Sequence, residues 1–314
     1  MSSSKRILIT GADGFIGKHI KDALNAFGEI YTYSRRESQD PFHLSGDICS
    51  IDGLNLNFDI IIHAAGNKTN EATMQQVNVE GTKAVVRFAK KINAKLIAIG
   101  SGGIYGIYRN SDSIITTQSA YCPENAYELS KAQAQEAIEN GEMPVASYVI
   151  LQPTNVIGEG DSTKKLLNLM HTVQKKKFFY LNKKARVNYV YVKKIVSVVQ
   201  QIIDKQHYTN SSFLINDPLT IEELVQMIST EIVSSAPQRS LPKAIQPLLF
   251  VLAKLTPYLP SSMQKFTLGK YYEMTSEKYY STENTDLHFP TDKTVDIRHG
   301  IHNLVAYYRD NQWL

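Results

Sequence analysis

The chain has 314 residues, of which 43% are hydrophobic and 20% charged, proportions typical of a globular protein that buries its core without disulfides or metals. Its formal net charge of +4 is too small an excess to indicate nucleic-acid binding, and it is compatible with an anionic substrate. No stretch reaches the roughly 20 apolar residues of a membrane span, and residues 1–6 lack the apolar core of a signal peptide, so we expect a cytoplasmic protein.

The first half of the chain alternates short β-rich runs with longer helical patterns, which is typical of a parallel sheet built from βαβ units. The runs at 59–63 (DIIIH) and 95–100 (KLIAIG) are apolar without alternation, as expected for strands covered on both faces. We therefore predict an α/β fold: a Rossmann-type doubly wound parallel sheet with helices on both faces. The predicted strands are 6–9, 29–33, 43–47, 59–63, 95–100 and 147–152, and the predicted helices are 15–27, 73–92 and 127–140.

After Pro153 short strands interleave with helices, which we interpret as a smaller C-terminal region over the carboxyl edge of the sheet, where open α/β folds bind ligands. We expect a NAD(P)-binding Rossmann domain that consists of residues 1–153 and of returning segments near 186–216. Residues 154–185 and 217–314 would form the smaller substrate-binding region. The apolar run 244–255 is expected to be a buried or substrate-capping helix, with contact at a membrane surface as the alternative.

The first predicted strand runs directly into residues 10–17 (TGADGFIG), whose glycines are spaced GxxGxxG. Gly11 permits a tight turn, Gly14 lets the backbone approach a pyrophosphate, and Gly17 lets the next helix pack closely. The helix N-terminus supplies N–H groups and the positive end of a dipole. Because the loop lies between a predicted strand and a predicted helix, it predicts a dinucleotide site. The expected cofactor contacts in this loop are Gly11, Asp13, Gly14, Phe15, Ile16 and Gly17.

The end of the second strand bears on which nicotinamide cofactor is used. A site that prefers NAD usually carries an acid about 20 residues beyond the glycines. Here the strand ends in Ser34, Arg35 and Arg36, with no acid before Glu37. A hydroxyl and two guanidiniums suit a ribose phosphate, so NADP is favoured over NAD. The alternative is that both arginines are ordinary solvated loop residues.

A tyrosine and a lysine stand four residues apart near the start of a predicted helix. Tyr127 and Lys131 therefore point to one face, where an ammonium lowers the pKa of a phenol and prepares it for acid/base work. Ser101 follows the fifth strand, at the sheet edge where a nicotinamide is expected, and its hydroxyl can hold the reacting oxygen. We predict these three residues as the catalytic set. The alternatives are that Tyr127 and Lys131 form an ordinary surface pair and that Ser101 is only a turn residue. Cys49 and Cys122 have no metal-ligand spacing, so no metal site is expected.

Motifs in a fixed order cover nearly the whole chain, and together they are specific. They are TGADGFIG (10–17), GDI (46–48), IIHAAG (61–66), VNVEGT (77–82), GSGGIYG (100–106), YELSK (127–131), QPTNVIG (152–158), RVNYVYV (186–192) and FLINDPLTIEEL (213–224). In this order they resemble the extended short-chain dehydrogenase/reductase superfamily, specifically its NAD(P)-dependent epimerase/dehydratase family, which acts on nucleotide sugars.

The resemblance implies further roles at matching positions. Asp47 and Ile48 would contact the adenine, and Asn78 would support the helix beneath the cofactor. The middle of the cofactor would meet Ala64, Ala65 and Gly66, and Pro153 would also lie against it. The substrate would meet Ser101, Gly102, Gly103, Asn155 and Arg186. The implied partner is a small nucleotide-sugar substrate, and a homodimer is left open as the assembly.

Some positions depart from the family pattern. The 4,6-dehydratases of the family carry an acid pair where this chain has Gly102 and Gly103, so dehydration is not expected. Gln152 replaces an arginine, Lys193 and Lys194 replace an acid pair, and the segment 67–76 is shorter than in typical sugar epimerases. These changes leave the chemistry in place and the identity of the sugar open.

Two enzymatic hypotheses and one non-enzymatic hypothesis follow. The first is reduction of a 4-keto-deoxysugar nucleotide, with hydride from NADPH and a proton from Tyr127. The second is an epimerase that uses the same residues with a retained NAD. The third is a non-catalytic cofactor-sensing protein on this fold, which the Ser–Tyr–Lys set argues against.

Overall fold

The computed structural model describes residues 5–141, 143–144, 147–233, 235–258 and 266–314. Its strands are β1 (Lys5–Thr10), β2 (Gly28–Ser34), β3 (His43–Ser45), β4 (Ile60–His63), β5 (Lys95–Ile99), β6 (Ile114–Ile115), β7 (Tyr148–Pro153), β8 (Asn155–Ile157), β9 (Arg186–Tyr191), β10 (Ser211–Ile215), β11 (Asp217–Thr220) and β12 (Tyr279–Tyr280). Its α-helices are α1 (Phe15–Ala23), α2 (Glu71–Gln75), α3 (Gly81–Ile92), α4 (Ala126–Glu139), α5 (Lys165–Gln174), α6 (Val192–Lys205), α7 (Ile221–Ile232), α8 (Gln246–Leu255), α9 (Leu268–Thr275), α10 (Glu283–His288) and α11 (Ile297–Asp310).

A parallel sheet in the order β10-β7-β5-β4-β1-β2-β3 forms the centre of the described chain. Successive residues of a strand point to opposite faces, and in β1 both faces are buried. Ile7 and Ile9 pack with α1 and α6 on one face, whereas Leu8 packs with α3 on the other. The predicted Rossmann-type doubly wound fold is therefore confirmed.

The carboxyl ends of the central strands define the position of the site. The chain turns from β1 toward β2 and β3 on one side and continues through β4, β5 and β7 on the other, which makes the β1/β4 junction the switch point. Thr10 pairs with His63 there, and Ile99 pairs with Leu151. The glycine loop after β1 and Ser101 after β5 consequently open at the same edge.

The second half of the chain adds a sheet in the order β11-β9-β8, which shares a core with α5, α7 and α11. The segments expected to return to the larger domain near 186–216 divide between the two sheets. Helix α6 packs on the central sheet and strand β10 is its edge strand beside β7, but β9 pairs with β8 and β11 in the smaller sheet. The division into a cofactor domain and a substrate region stays a proposal.

Three expectations about individual elements were wrong. Helix α1 ends at Ala23 rather than Phe27, because a turn follows in which the N–H of Phe27 donates to the carbonyl of Leu24. Strand β3 ends at Ser45, since Asp47 starts a 3-10 turn by accepting from the N–H of Cys49. For helix α8 the expected burial was wrong, since Leu248 on it is 69% exposed, whereas a substrate-capping role and contact at a membrane surface stay predictions. Among the described helices, none combines the length and apolar character that crossing a bilayer requires.

Candidate active site

The glycine loop has the tight geometry that its sequence predicts. Gly11 has φ +73°, and a Cβ there would lie 2.5 Å from the backbone N of Ala65. A Cβ on Gly17 would lie 2.1 Å from the carbonyl oxygen of Gly11. Gly14 is the N-cap of α1 and makes no side-chain capping hydrogen bond. Such a terminus suits a pyrophosphate.

Two of the residues expected to select the cofactor, Ser34 and Arg36, lie beside the carboxylate of Asp13. The hydroxyl of Ser34 donates to Oδ2 of Asp13 over 3.3 Å, and Nη2 of Arg36 lies 3.5 Å from the same oxygen. The carbonyl of Arg36 contacts His43 Nε2 at 2.7 Å, which fixes the backbone here while the Arg36 side chain stays 68% exposed. Arg35 is exposed. The sequence alone gave no indication that Asp13 would reach across to the end of β2.

The positions assigned to the adenine and the middle of the cofactor lie at the carboxyl ends of β3, β4 and β7. Asp47 and Ile48 follow β3, where the Asp47 carboxylate is engaged by the N–H of Cys49. Ala64 and Ala65 follow β4 directly against Gly11. Pro153 ends β7 and is buried.

Asn78 acts as a link between two parts of the site. It is buried in a π-helical turn, Gln76–Glu80, between α2 and α3. Its Oδ1 accepts from the N–H of Asn67 at 2.6 Å, and its Nδ2 donates to Oγ of Ser130 at 2.9 Å. Asn78 therefore ties the loop after β4 to α4, a supporting position, and its amide is already engaged by protein groups.

Ser101 and Tyr127 are brought together from different elements. Ser101 follows β5, and its Oγ accepts from the N–H of Gly103 at 3.1 Å. Tyr127 lies in the first turn of α4, which Asn125 caps by accepting from the N–H of Glu128. Burial raises the pKa of Tyr127, and a side-chain hydrogen bond with Ser101 opposes that rise. The contact places the serine hydroxyl beside the phenol, as the predicted catalytic pair requires.

Lys131 lies one helical turn beyond Tyr127, and its side chain is hydrogen-bonded to the end of β5. Its Nζ donates to the carbonyl of Ile99 over 2.8 Å, and burial lowers its pKa to about 8. A second ammonium, on Lys68, lies 5.6 Å from the centroid of the Tyr127 ring. Lys68 therefore places a positive charge beside the Tyr127 ring, while Lys131 lies one turn further along the same helix.

A buried histidine, which the sequence interpretation missed, lies beneath this set. His63 ends β4, where its Nδ1 lies 2.8 Å from Oγ1 of Thr10 and its Nε2 lies 2.9 Å from Oγ1 of Thr82. Burial first, and then the charge of Lys131, lower the pKa of His63 to about 3. The imidazole is therefore neutral at physiological pH and serves as a link between β1, β4 and α3. Its signal in the sequence was a polar residue ending an otherwise apolar strand.

The loop after Ser101 has little room for the acids of a dehydratase. Gly102 is buried, and a Cβ there would lie 3.2 Å from Cγ2 of Thr154. Gly103 faces the side chain of Glu128, whose Oε2 accepts from the N–H of Glu124 at 2.7 Å. The carboxylate nearest these glycines thus helps to start α4.

Of the residues expected at the substrate, Ser101, Gly102 and Gly103 follow β5 of the central sheet, and Asn155 and Arg186 lie on the smaller sheet. Asn155 is exposed on β8, and its Nδ2 donates to the carbonyl of Asn188 at 3.0 Å. The Arg186 guanidinium on β9 lies 5.3 Å from the centroid of the Tyr279 ring. A cation and an aromatic face therefore stand together in the predicted substrate region.

Gln152 and Lys194, which depart from the family pattern, each interact with other side chains of the fold. Gln152 is fully buried, and its Nε2 donates to the hydroxyl of Tyr105 at 3.0 Å and to Oε1 of Gln135 at 2.8 Å. Buried Lys194 pairs with Asp217, 2.7 Å away. Gln152 thus belongs to a buried polar network, and the Lys194 charge is compensated within the fold.

The fold and the geometry of the loop are those of a dinucleotide-binding α/β protein. The family model described as NAD dependent epimerase/dehydratase family matches residues 7–215. The chain therefore belongs to the NAD-dependent epimerase/dehydratase family. No curated protein sequence matches the chain.

Solved structures share the fold over nearly the full length. A putative epimerase from Burkholderia cenocepacia J2315 aligns with TM-score 0.74 at 16% identity, covering 99% of this chain and 100% of that one. The Bordetella bronchiseptica enzyme WbmH, solved with NAD+, aligns with TM-score 0.71 at 18% identity and 98% coverage of both chains. UDP-glucuronic acid 4-epimerase from Bacillus cereus, solved with NAD, aligns with TM-score 0.71 at 15% identity, covering 97% of this chain and 99% of that one.

Proposed function

We propose that the protein is an NAD(P)-dependent oxidoreductase of nucleotide-linked sugars that reduces a 4-keto-deoxysugar nucleotide. The observation that carries the proposal is the contact of Ser101 with Tyr127, with half-buried Lys131 one turn away on the same helix. These groups lie at the edge of the sheet onto which the glycine loop opens. An acid, a hydroxyl that orients the carbonyl, and a cation beside the acid are what a hydride-transfer reaction on a ketone needs.

The residues divide the work as follows. A nicotinamide cofactor held at the glycine loop would supply the hydride that the carbonyl carbon accepts. Ser101 holds the carbonyl oxygen by hydrogen bonding, and Tyr127 donates its phenolic proton to that oxygen as negative charge develops. Lys131 stabilises the resulting phenolate, which lowers the cost of the proton transfer.

A nucleotide-sugar substrate is supported by the family and by the smaller sheet. The UDP-glucuronic acid 4-epimerase from Bacillus cereus shares this fold. Arg186 and the Tyr279 ring offer a cation for a diphosphate and an aromatic face for a base or sugar. We accordingly propose that residues 154–185 and 217–314, together with Arg186 on β9, bind the substrate. Gly102 and Gly103 in place of an acid pair favour reduction over dehydration.

The test is oxidation of NADPH in the presence of a panel of 4-keto-deoxysugar nucleotides. We expect turnover with at least one, and a loss of roughly 10²–10⁴-fold in kcat for Tyr127→Phe. The matched control is Tyr307→Phe on α11, a phenol remote from the three residues, which should leave kcat unchanged. Absence of turnover across the panel would overturn the reductase assignment.

Epimerisation with a retained NAD is the second candidate, and Asp13 favours it. Its carboxylate lies beside Ser34 and Arg36, where it can accept hydrogen bonds from ribose hydroxyls as the acid of an NAD site does. Conversion of one sugar isomer to another without net cofactor change selects this candidate, as does NAD copurifying with the protein. The non-catalytic alternative requires that Tyr127→Phe leave the cellular function intact.

A further inference from the structure

Helix α8 presents an apolar stripe to the outside. Positions spaced by three, four and seven residues lie on one face of a helix. The stripe consists of Leu248 (69% exposed), Val251 (51%), Leu252 (45%) and Leu255 (52%), and the 3-10 turn that follows adds Tyr258 (86%). Large apolar side chains exposed singly are ordinary, but a contiguous helical stripe of them marks an interaction surface.

The opposite face anchors the helix to the protein. Ala253 is fully buried, and the Phe250 ring lies 5.4 Å from the ring of Tyr271 on α9. Tyr272 on α9 in turn stacks on Tyr108 at 5.6 Å. The stripe is therefore the outward face of a helix that is already packed, and it is oriented by contacts reaching back to the main body.

The segment around α8 has a distinctive charge pattern. Residues 232–272 contain no aspartate or glutamate, so all 30 acidic residues lie elsewhere in the chain. The basic residues of the segment are Arg239, Lys243, Lys254, Lys265 and Lys270. Lys243 precedes α8 and Lys254 lies in its last turn, and both are exposed. A cation thus stands near each end of the apolar stripe.

We propose that α8 docks the protein on an anionic lipid surface. The leucines of the stripe enter the boundary between headgroups and acyl chains, while Lys243 and Lys254 meet the phosphates. The charge of the segment favours a lipid surface over a second copy of the chain as the binding partner of the stripe. Two acid-free basic segments facing each other across a two-fold axis would repel, whereas a negative surface attracts both lysines.

The test is co-sedimentation of the full chain with vesicles of phosphatidylglycerol and phosphatidylcholine, compared with phosphatidylcholine alone. We expect binding to the anionic vesicles, weakened by salt. Leu248→Ser combined with Leu255→Ser should lower the partition coefficient by roughly tenfold or more, and Lys243→Gln combined with Lys254→Gln should remove the preference for anionic lipid. All four side chains are exposed, so the variants are expected to fold.

The matched control is Leu287→Ser on α10, a leucine that is 79% exposed outside the stripe and should not affect binding. Equal binding to neutral and anionic vesicles, or unchanged binding by the serine double variant, would overturn the proposal. So would a concentration-dependent dimer, measured by light scattering, that dissociates when Leu248 and Leu255 are replaced. That result would assign the stripe to a second copy.

Discussion

The Cγ atom of Glu128 lies 3.0 Å from the position that a Cβ atom on Gly103 would occupy. A side chain at 103 therefore requires a small shift of Glu128, whose Oε2 accepts from the N–H of Glu124 just before α4. Tyr127, the proposed acid, precedes Glu128 in the first turn of α4, so a shift of Glu128 would act next to it along the helix.

Gly103→Ala is expected to destabilise the protein by about 1–3 kcal/mol through overpacking, and to lower kcat by disturbing the start of α4. Thermal unfolding and the activity assay measure the two effects. Gly53→Ala is the matched control, because a Cβ at Gly53 meets nothing within 4 Å. Combining Gly103→Ala with Glu128→Ala should produce less than the sum of the single effects, and strict additivity would refute the contact.

Activity should fall as pH rises through about 8, the value to which burial lowers the pKa of Lys131. Loss of the ammonium removes the charge that stabilises the Tyr127 phenolate, so proton donation by Tyr127 becomes less favourable. A pH profile of kcat measures this. In Lys131→Met we expect a much lower kcat that no longer declines at alkaline pH. If kcat of the variant still declines there, a group other than Lys131 causes the decline.

The same lysine predicts a gain in stability from its removal. Because the pKa of Lys131 is lower in the folded than in the unfolded chain, keeping it charged in a buried site opposes folding at neutral pH. Without cofactor, Lys131→Met should therefore unfold at a higher temperature than the wild type at pH 7. The difference should shrink between about pH 8 and 10.5, where the unfolded chain still binds the proton. A lower unfolding temperature for the variant at pH 7 would contradict this reading.

His63 should make the protein sensitive to acid. Its folded pKa of about 3 lies below the ordinary value of 6.5, so the unfolded chain binds a proton first and stability declines as pH falls below 6.5. Between pH 6.5 and 5 this amounts to roughly 2 kcal/mol. Urea unfolding of wild type and His63→Gln at the two pH values isolates the contribution, and equal pH slopes would rule it out.

Arg36 and Asp13 should act in opposite directions on cofactor choice. Arg36→Ala is expected to weaken NADP binding by roughly tenfold or more and to change NAD binding little, because a charged hydrogen bond to the ribose phosphate is lost. Asp13→Asn should weaken NAD more than NADP. Titration calorimetry gives the four affinities, with Arg87→Ala, at an exposed pair with Asp52, as control. If each variant lost the same affinity for NAD as for NADP, Arg36 and Asp13 would have no role in cofactor selectivity.

The sequence predicted the parts of the site that depend on local rules. The spacing of Gly11, Gly14 and Gly17 and the apolar runs of the central strands were sufficient to place the cofactor loop and the sheet. It could not show that Glu128 faces Gly103 or that His63 bridges Thr10 and Thr82, since those contacts depend on how distant elements pack. Burial of α8 was favoured over exposure for a related reason: an apolar run indicates burial, but it does not identify what buries it.

Strand β7 has β10 as one of its two neighbours in the central sheet, although about 60 residues separate them in the chain. A nascent chain on the ribosome therefore exposes the buried residues of β7 as an unpaired edge while α5, β9 and α6 are being made. Such an edge is a template for pairing with other chains. We expect newly synthesised copies shortened before residue 211 to need a chaperone to stay in solution, and those that include β10 to be released from it.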